Sequence, residues 1–464
     1  MKIRKIKYKD HPILANIELD FVNRDTGEAH DNIILVGDNG TGKSTILETL
    51  NTFLCLGTFE PFKCIEYEVD EDGKKATIRI TPPTLLNQIA SAFTLKKTGE
   101  AKSKNVVRGR DFRKMDIEND PDDLRHYGCV LSKARATYKT KKITSTTSSD
   151  LDAERYLTDE KDDYASLKQL IVDLNELDNS SYMKLNKELD AQGAPKGLRA
   201  EDFKERSKIY RFSKAFDDFF EHLVYDGVDT TNGEKKVLFR KTQGDNNALI
   251  PIDSLSTGEK QIVFRGAYLL QNATMLYGGI IMVDEPELSM HPKWEGKILK
   301  YYTDLFTDTA GNQQSQMFFA THSDHIVRKA MEGGKKYLIL ALKKSGNTLS
   351  VRRVEAPKDA SSITSAAINY FAFDLPSIDY HTELYAKVQL KAGDKNIKDT
   401  DTYIVSRNDC YDTSKHKKDS SYGSTTYETI CTYVRNLIDH PKPGVILTGK
   451  DLQTSIELML QLLK

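Results

Sequence analysis

The hydrophobic pattern divides the chain into a strand-rich opening, a long polar middle and a second apolar series. Residues 1–36 alternate polar and apolar positions (IRKIKY, ILANIELDFV) and then run into the apolar NIILVG, which predicts strands ending at Gly37. Helical spacing begins in STILETL and predicts a helix to about Leu54. A strand, a glycine-rich turn and a helix in that order open an α/β nucleotide-binding core. Its closing half lies between Ala248 and Val327, as strand-like ALIPI, a helix over Gly258–Gln271, the strand GGIIMVDEP and the strand MFFATHS. A hairpin follows in KKYLILALKKSGNTLSVRRVE.

Between the halves the pattern is polar and irregular. It holds a basic stretch (KKTGEAKSKNVVRGRDFRK, 96–114), a Ser/Thr-rich piece with acidic residues after it, and the amphipathic segments DYASLKQLIVDLNEL and FSKAFDDFFEHLV. No heptad repeat persists there, which argues against a long coiled coil. The expected organisation is a core over 1–59 and 248–355, a mixed helical insertion over 60–247, and a mainly helical terminal region over 356–464. The fold class is α/β, a P-loop core on a mixed sheet.

Composition narrows the setting. With 464 residues, 39% hydrophobic and 29% charged, the chain can bury a large core, and a net charge of -1 favours no nucleic-acid partner by itself. Five cysteines form no CxxC pair and are odd in number, which fits a reducing cytoplasm better than a disulfide framework or a zinc ribbon. No window carries the roughly 20 apolar residues of a membrane helix, so no membrane is expected.

Three motifs carry chemistry. The string GDNGTGKS, from Gly37 to Ser44, matches G-x4-G-K-[ST] with a strand before it and a helix after it. Gly37, Asn39, Gly40 and Gly42 let backbone N–H groups turn toward phosphate oxygens, and Lys43 reaches the β and γ phosphates. Ser44 ligates magnesium, with Thr45 following in the helix N-terminus. The apolar strand ending in VDEPE delivers Asp284 to magnesium and Glu285 to the attacking water; the alternative is a pair that caps a loop. In Leu255-Ser256-Thr257-Gly258-Glu259-Lys260-Gln261, Ser256, the Gly258 amide and the helix N-terminus make a second anion site. The alternative there is a routine helix cap.

The string LSTGEKQ resembles the signature that defines ABC ATPases, and the chain is similar to their soluble RecF/SMC-like kind. That resemblance implies a homodimer or higher homo-oligomer in which each signature caps the partner's ATP. It also implies that His322, at the end of FFATHS, touches the γ-phosphate. The family's glutamine has a candidate in Gln88. DEPELSMHP, with His291 and Pro292, resembles the OLD-like defence group, whose nuclease domain uses a glutamate and a D-x-D at a strand end. Here the only late D-x-D, Asp399-Thr-Asp401, precedes the apolar TYIV instead, so a nuclease of that kind is not expected.

The terminal region allows two readings. Residues 366–386 and 427–464 resemble the tail of the ATPase subunit of Septu-type anti-phage systems, which implies a separately encoded HNH nuclease as partner. The alternative is a self-contained toxin, since Arg435, Asn436 and His440 have the R-N-x3-H form of HEPN ribonucleases, where arginine and histidine act on one phosphodiester. Arg435 in a surface pair and His440 at a helix end would be the structural counterpart. The basic stretch could contact a nucleic-acid backbone or be a solvated loop.

Overall fold

The computed structural model describes residues 1–71, 73–83, 90, 92–107, 117, 119–134, 143–146, 156–158, 164–191, 203, 207–242, 248–271, 276–308, 310–346, 348–355, 363–394, 396–441 and 443–464. The chain forms two units, Met1–Ala356 and Pro357–Lys464.

The first unit is organised by a seven-stranded sheet. Its order is Thr348–Val354, Tyr337–Ser345, Asn32–Val36, Gln316–Thr321, Ile280–Asp284, Cys129–Ser132 and Tyr156–Thr158, with only the first pair antiparallel. The central strands Asn32–Val36 and Gln316–Thr321 are buried along their whole length. That is why NIILV and QMFFAT read as apolar runs without alternation. Because neighbouring parallel strands end at the same side, the register sets Val36 beside Thr321 and Asp284 beside Ala320. The loops that follow those strands therefore converge.

A second, six-stranded antiparallel sheet runs Glu18–Asp20, Lys2–Tyr8, Phe62–Glu71, Lys74–Thr81, Ala92–Lys97 and Lys104–Val107. Four of its strands, and the strands Cys129–Ser132 and Tyr156–Thr158 of the first sheet, lie in the segment over 60–247 expected to be a mixed helical insertion. The period-two pattern of FKCIEYEV and ATIRIT is the signal for them, and Ile65, Tyr67, Ile78 and Ile80 bury their side chains. The two amphipathic segments are helical at Tyr164–Ala191 and Lys208–Phe219, but the second turns into a strand at Leu223–Thr231 instead of continuing through His222. Phe219 and Phe220 pack against Trp294 there, which fixes the exit of the chain.

The second unit is mainly helical: Ser365–Phe373, Ile378–Lys391, Ile397–Ser406, Thr413–His416, Ile430–Asp439 and Gly449–Leu463. It also contains a hairpin, Lys417–Tyr422 with Thr425–Thr429. Val388, Cys431, Val434, Ile456 and Met459 are among the residues of its buried cluster. Among the described residues no helix is long and apolar enough to cross a membrane.

Candidate nucleotide-binding site

The loop after the strand Asn32–Val36 needs glycine for two reasons. Gly37, Gly40 and Gly42 have φ of 145°, 78° and 93°, where side chains are rarely accommodated. A Cβ on Gly37 would also stand 2.4 Å from the Leu342 carbonyl oxygen, and one on Gly42 would stand 2.5 Å from Leu14 Cδ2. Asn39 and Gly40 form the exposed tip. The helix Lys43–Leu54 then begins without a side-chain cap on its first amides. An uncapped N-terminus is an anion site by its geometry and dipole. Thr45 lies in its first turn, and its carbonyl accepts from Thr49 Oγ1 at 2.7 Å.

Lys43 Nζ donates to the carbonyls of Gly37 at 2.6 Å and Asp38 at 3.1 Å, so its ammonium lies within the loop's curve. Burial pushes its pKa down, while Asp284, Glu285 and Glu287 oppose that shift. Ser44 Oγ donates to Asp284 Oδ1 at 3.0 Å across 240 residues of sequence. Burial raises the Asp284 carboxyl above its ordinary range, and the Ser44 hydrogen bond opposes the rise. The two are oxygen donors suited to a hard cation such as magnesium. Among the described residues there is no cluster of three His, Cys, Asp or Glu side chains to cage a metal, so phosphate oxygens and water would complete its shell.

Glu285 has φ of 44°, an uncommon left-handed conformation for this residue, and its amide donates to Ala320 O at 2.9 Å. His322 Nδ1 lies 3.9 Å from Glu285 Oε1 and 3.6 Å from Glu287 Oε1. Glu287 is a residue the sequence reading passed over. Its Oε1 accepts from Thr321 Oγ1 at 2.7 Å and from the His322 amide at 3.0 Å, and burial raises its pKa. Glu287 thus fixes the strand end that carries His322. Its signal in the sequence was only a second glutamate two positions after the acidic pair. His291 caps the helix Pro292–Leu305 through Lys293 N, which explains the residues HP in DEPELSMHP.

The signature heads the helix Thr257–Leu270. Ser256 and Glu259 form a reciprocal capping box that uses the amides of Ser256 and Glu259 and leaves Gly258 outside it. Gly258 is tightly seated, since a Cβ would come within 2.8 Å of Ser289 O and 3.2 Å of Trp294 Cζ3. His222 Nε2 lies 3.2 Å from Glu259 Oε1 and stacks on Trp294. The structure therefore brings Lys43, Ser44, Asp284, Glu285 and His322 together. Ser256 and Gly258, among the described residues, contact Glu259, Ser289 and Trp294 rather than the phosphate loop.

Gln88 and residues 108–114 of the basic stretch lie outside the described residues. Within the described part of that stretch, Lys97 pairs with Asp122 at 3.0 Å and Lys104 with Asp120 at 2.7 Å, which neutralises both cations. In the second unit Arg435 pairs with Asp439 at 2.6 Å one helical turn on, and donates to Asn436 Oδ1 at 3.1 Å. His440 ends that helix and stacks on Tyr422. Asp401 is buried on a helix, accepting from the amides of Glu428 and Thr429.

A family model described as "AAA domain, putative AbiEii toxin, Type IV TA system" matches residues 33–328. Among solved structures, the SMC head domain from Thermotoga maritima is 14% identical, with 76% of this chain and 100% of that chain covered at a TM-score of 0.37. An SMC head bound to the C-winged helix domain of ScpA is 14% identical over 76% and 98% at 0.41. An SMC head with an extended coiled coil, bound to the C-terminal domain of ScpA derived from Pyrococcus furiosus, is 14% identical over 76% and 96% at 0.39. No curated protein matches the chain.

Proposed function

The chain belongs to this AAA-domain family, whose model spans well over half its length, and we propose that it hydrolyses ATP between two copies joined head to tail. The carrying observation is the Ser44–Asp284 contact at 3.0 Å, which joins the phosphate loop to the acidic strand end where Glu285 and His322 also lie. Bound magnesium would neutralise charge on the β and γ phosphates, held by Ser44 and Asp284. Lys43 and the loop amides bind and orient the phosphates. Glu285 accepts a proton from the attacking water, and His322 contacts the γ-phosphate from the neighbouring strand end. Ser256 and the Gly258 amide are directed to the nucleotide of the partner copy, which explains why their contacts lie away from their own loop.

The test is a pair of variants. Lys43→Ala should abolish nucleotide binding. Glu285→Gln should keep ATP and accumulate a closed dimer, with turnover lower by about 10²- to 10³-fold, the scale for losing one transition-state group. Unchanged turnover in Glu285→Gln would remove the assignment.

The wider role is anti-phage defence in the cytoplasm, with the ATP-driven dimer controlling a separately encoded nuclease, of HNH type, that acts on nucleic acid. The resemblance of residues 366–386 and 427–464 to Septu-type ATPase subunits supports this, and five cysteines outside any disulfide fit the compartment. The second reading is a self-contained toxin with a ribonuclease at Arg435 and His440; the family's description names a toxin, but its matched residues 33–328 do not reach them. The Arg435–Asp439 ion pair counts against it, because it occupies the guanidinium with a helix neighbour. Translation arrest by the chain alone, lost in Arg435→Ala and His440→Ala with ATP binding intact, would favour the toxin. Co-purification with a nuclease encoded by a neighbouring gene would favour defence.

A further inference from the structure

We propose that Arg265 is a positioning residue that holds Glu285 in its working conformation and ties it to the signature helix. Through that tie, engagement of one nucleotide sets the hydrolytic competence of the other. The proposal rests on the head-to-tail reading above.

The geometry is specific. Arg265 is buried within the helix Thr257–Leu270, nine residues after Ser256, or about 14 Å along the axis at 1.5 Å per residue. Its Nη1 donates to the Glu285 carbonyl at 2.8 Å, and Nη2 donates to the carbonyls of Asp284 at 2.5 Å, Lys133 at 2.8 Å and Ser132 at 3.2 Å. Nε donates to Ser132 Oγ at 3.1 Å. Every one of these acceptors is a neutral oxygen, drawn from the ends of two neighbouring parallel strands, Cys129–Ser132 and Ile280–Asp284. None of these hydrogen bonds is to a charged group, although the nearby Asp284 carboxylate attracts the guanidinium, which opposes the rise that burial gives the Asp284 pKa. The guanidinium fork fixes the backbone of both residues whose carboxylates are assigned to the chemistry.

Glu285 is where that grip matters. A left-handed glutamate persists when its surroundings over-determine it. Here its amide is held by Ala320 O and its carbonyl by Arg265, so both of its peptide groups are fixed. The helix carrying Arg265 begins at the signature. In the dimer that signature faces the partner's nucleotide, whereas Glu285 serves the nucleotide of its own subunit. A shift of the helix on engaging the partner's phosphate therefore moves the guanidinium, and with it the Glu285 backbone at the other site. Coupling of this kind makes turnover cooperative in ATP.

The test uses the full chain with Arg265→Lys, which keeps a charge but cannot span the carbonyls, and Ser132→Ala, which removes one neutral acceptor. Both should retain the wild-type Kd for ATP. Arg265→Lys should lower kcat about 100-fold, the scale of an ångström-level misplacement. Its Hill coefficient for ATP should fall to one from a higher wild-type value. Ser132→Ala should lower kcat roughly threefold to tenfold, as expected for one hydrogen bond. Combined with Glu285→Gln, neither change should lower kcat further, because both act through Glu285. Losses that multiply in the double variants, or a Hill coefficient unchanged in Arg265→Lys, would overturn the role of Arg265 while leaving the ATPase reading standing. Absence of turnover in the wild type would overturn that reading and this proposal together.

Discussion

At the scale of single residues, the candidate site is a collection of groups held away from their preferred states. Burial raises the Asp284 carboxyl above its ordinary pKa, so the native state binds a proton there more readily than the unfolded chain does. The sign follows directly: this group's contribution to stability is most favourable at low pH and is lost as pH rises through the folded-state pKa. Asp284→Asn should therefore raise the melting temperature of the nucleotide-free protein at neutral pH, with the gain shrinking on acidification, while abolishing magnesium-dependent turnover. Melting curves across pH check the first part, and a variant no more stable than wild type at neutral pH would contradict it. Glu287 makes a second case. Glu287→Ala strips the acceptor from Thr321 Oγ1 and the His322 amide, and leaving one buried donor unpaired costs about 1–3 kcal/mol. Turnover and thermal stability should both fall, whereas Glu287→Gln, which keeps an acceptor oxygen, should fall less on both measurements.

Two contrasting helix starts organise the elements. The helix Lys43–Leu54 begins at a left-handed glycine with no side-chain cap, whereas the helix Thr257–Leu270 has a full capping box that leaves the Gly258 amide outside it. In the proposed dimer each presents its N-terminus to one side of a shared phosphate. Ser256→Arg should then spare ATP binding by each subunit but block hydrolysis, because a long cation is directed into the partner's site. Normal turnover in that variant would exclude the head-to-tail arrangement. Trp294 offers a readout, since it is the chain's one tryptophan and lies 3.2 Å from where a Gly258 Cβ would be. ATP added to the Glu285→Gln protein should change its emission, and Ser256→Arg should suppress that change.

For the whole molecule, each unit carries buried hydrophobic residues of its own. One cluster runs from Ile3 to Leu342 within the first unit, and another from Ala367 to Leu462 within the second. Removing Pro357–Lys464 should therefore leave a folded first unit that binds and hydrolyses ATP, while binding of the proposed partner nuclease and the proposed phage protection should be lost. Loss of ATP binding in the truncated chain would refute that division of labour.

Much of the site was legible in the sequence because its chemistry is carried by short contiguous strings in a required local context. Gly37 to Ser44 needs only a strand before it and a helix after it, and the runs NIILV and QMFFAT announce buried parallel strands by lacking alternation. The pair Asp284 and Glu285 is legible as the end of a buried strand, and the signature string is legible as a helix start. The second antiparallel sheet was missed because strands such as Phe62–Glu71 are stabilised by pairing with Lys2–Tyr8, some sixty residues away. Tertiary structure alone decided the Ser44–Asp284 contact, the acceptors of Glu287 and the five-fold grip of Arg265. Each depends on the register of parallel strands far apart in the chain, and a one-residue slip in that register would turn every side chain to the opposite face.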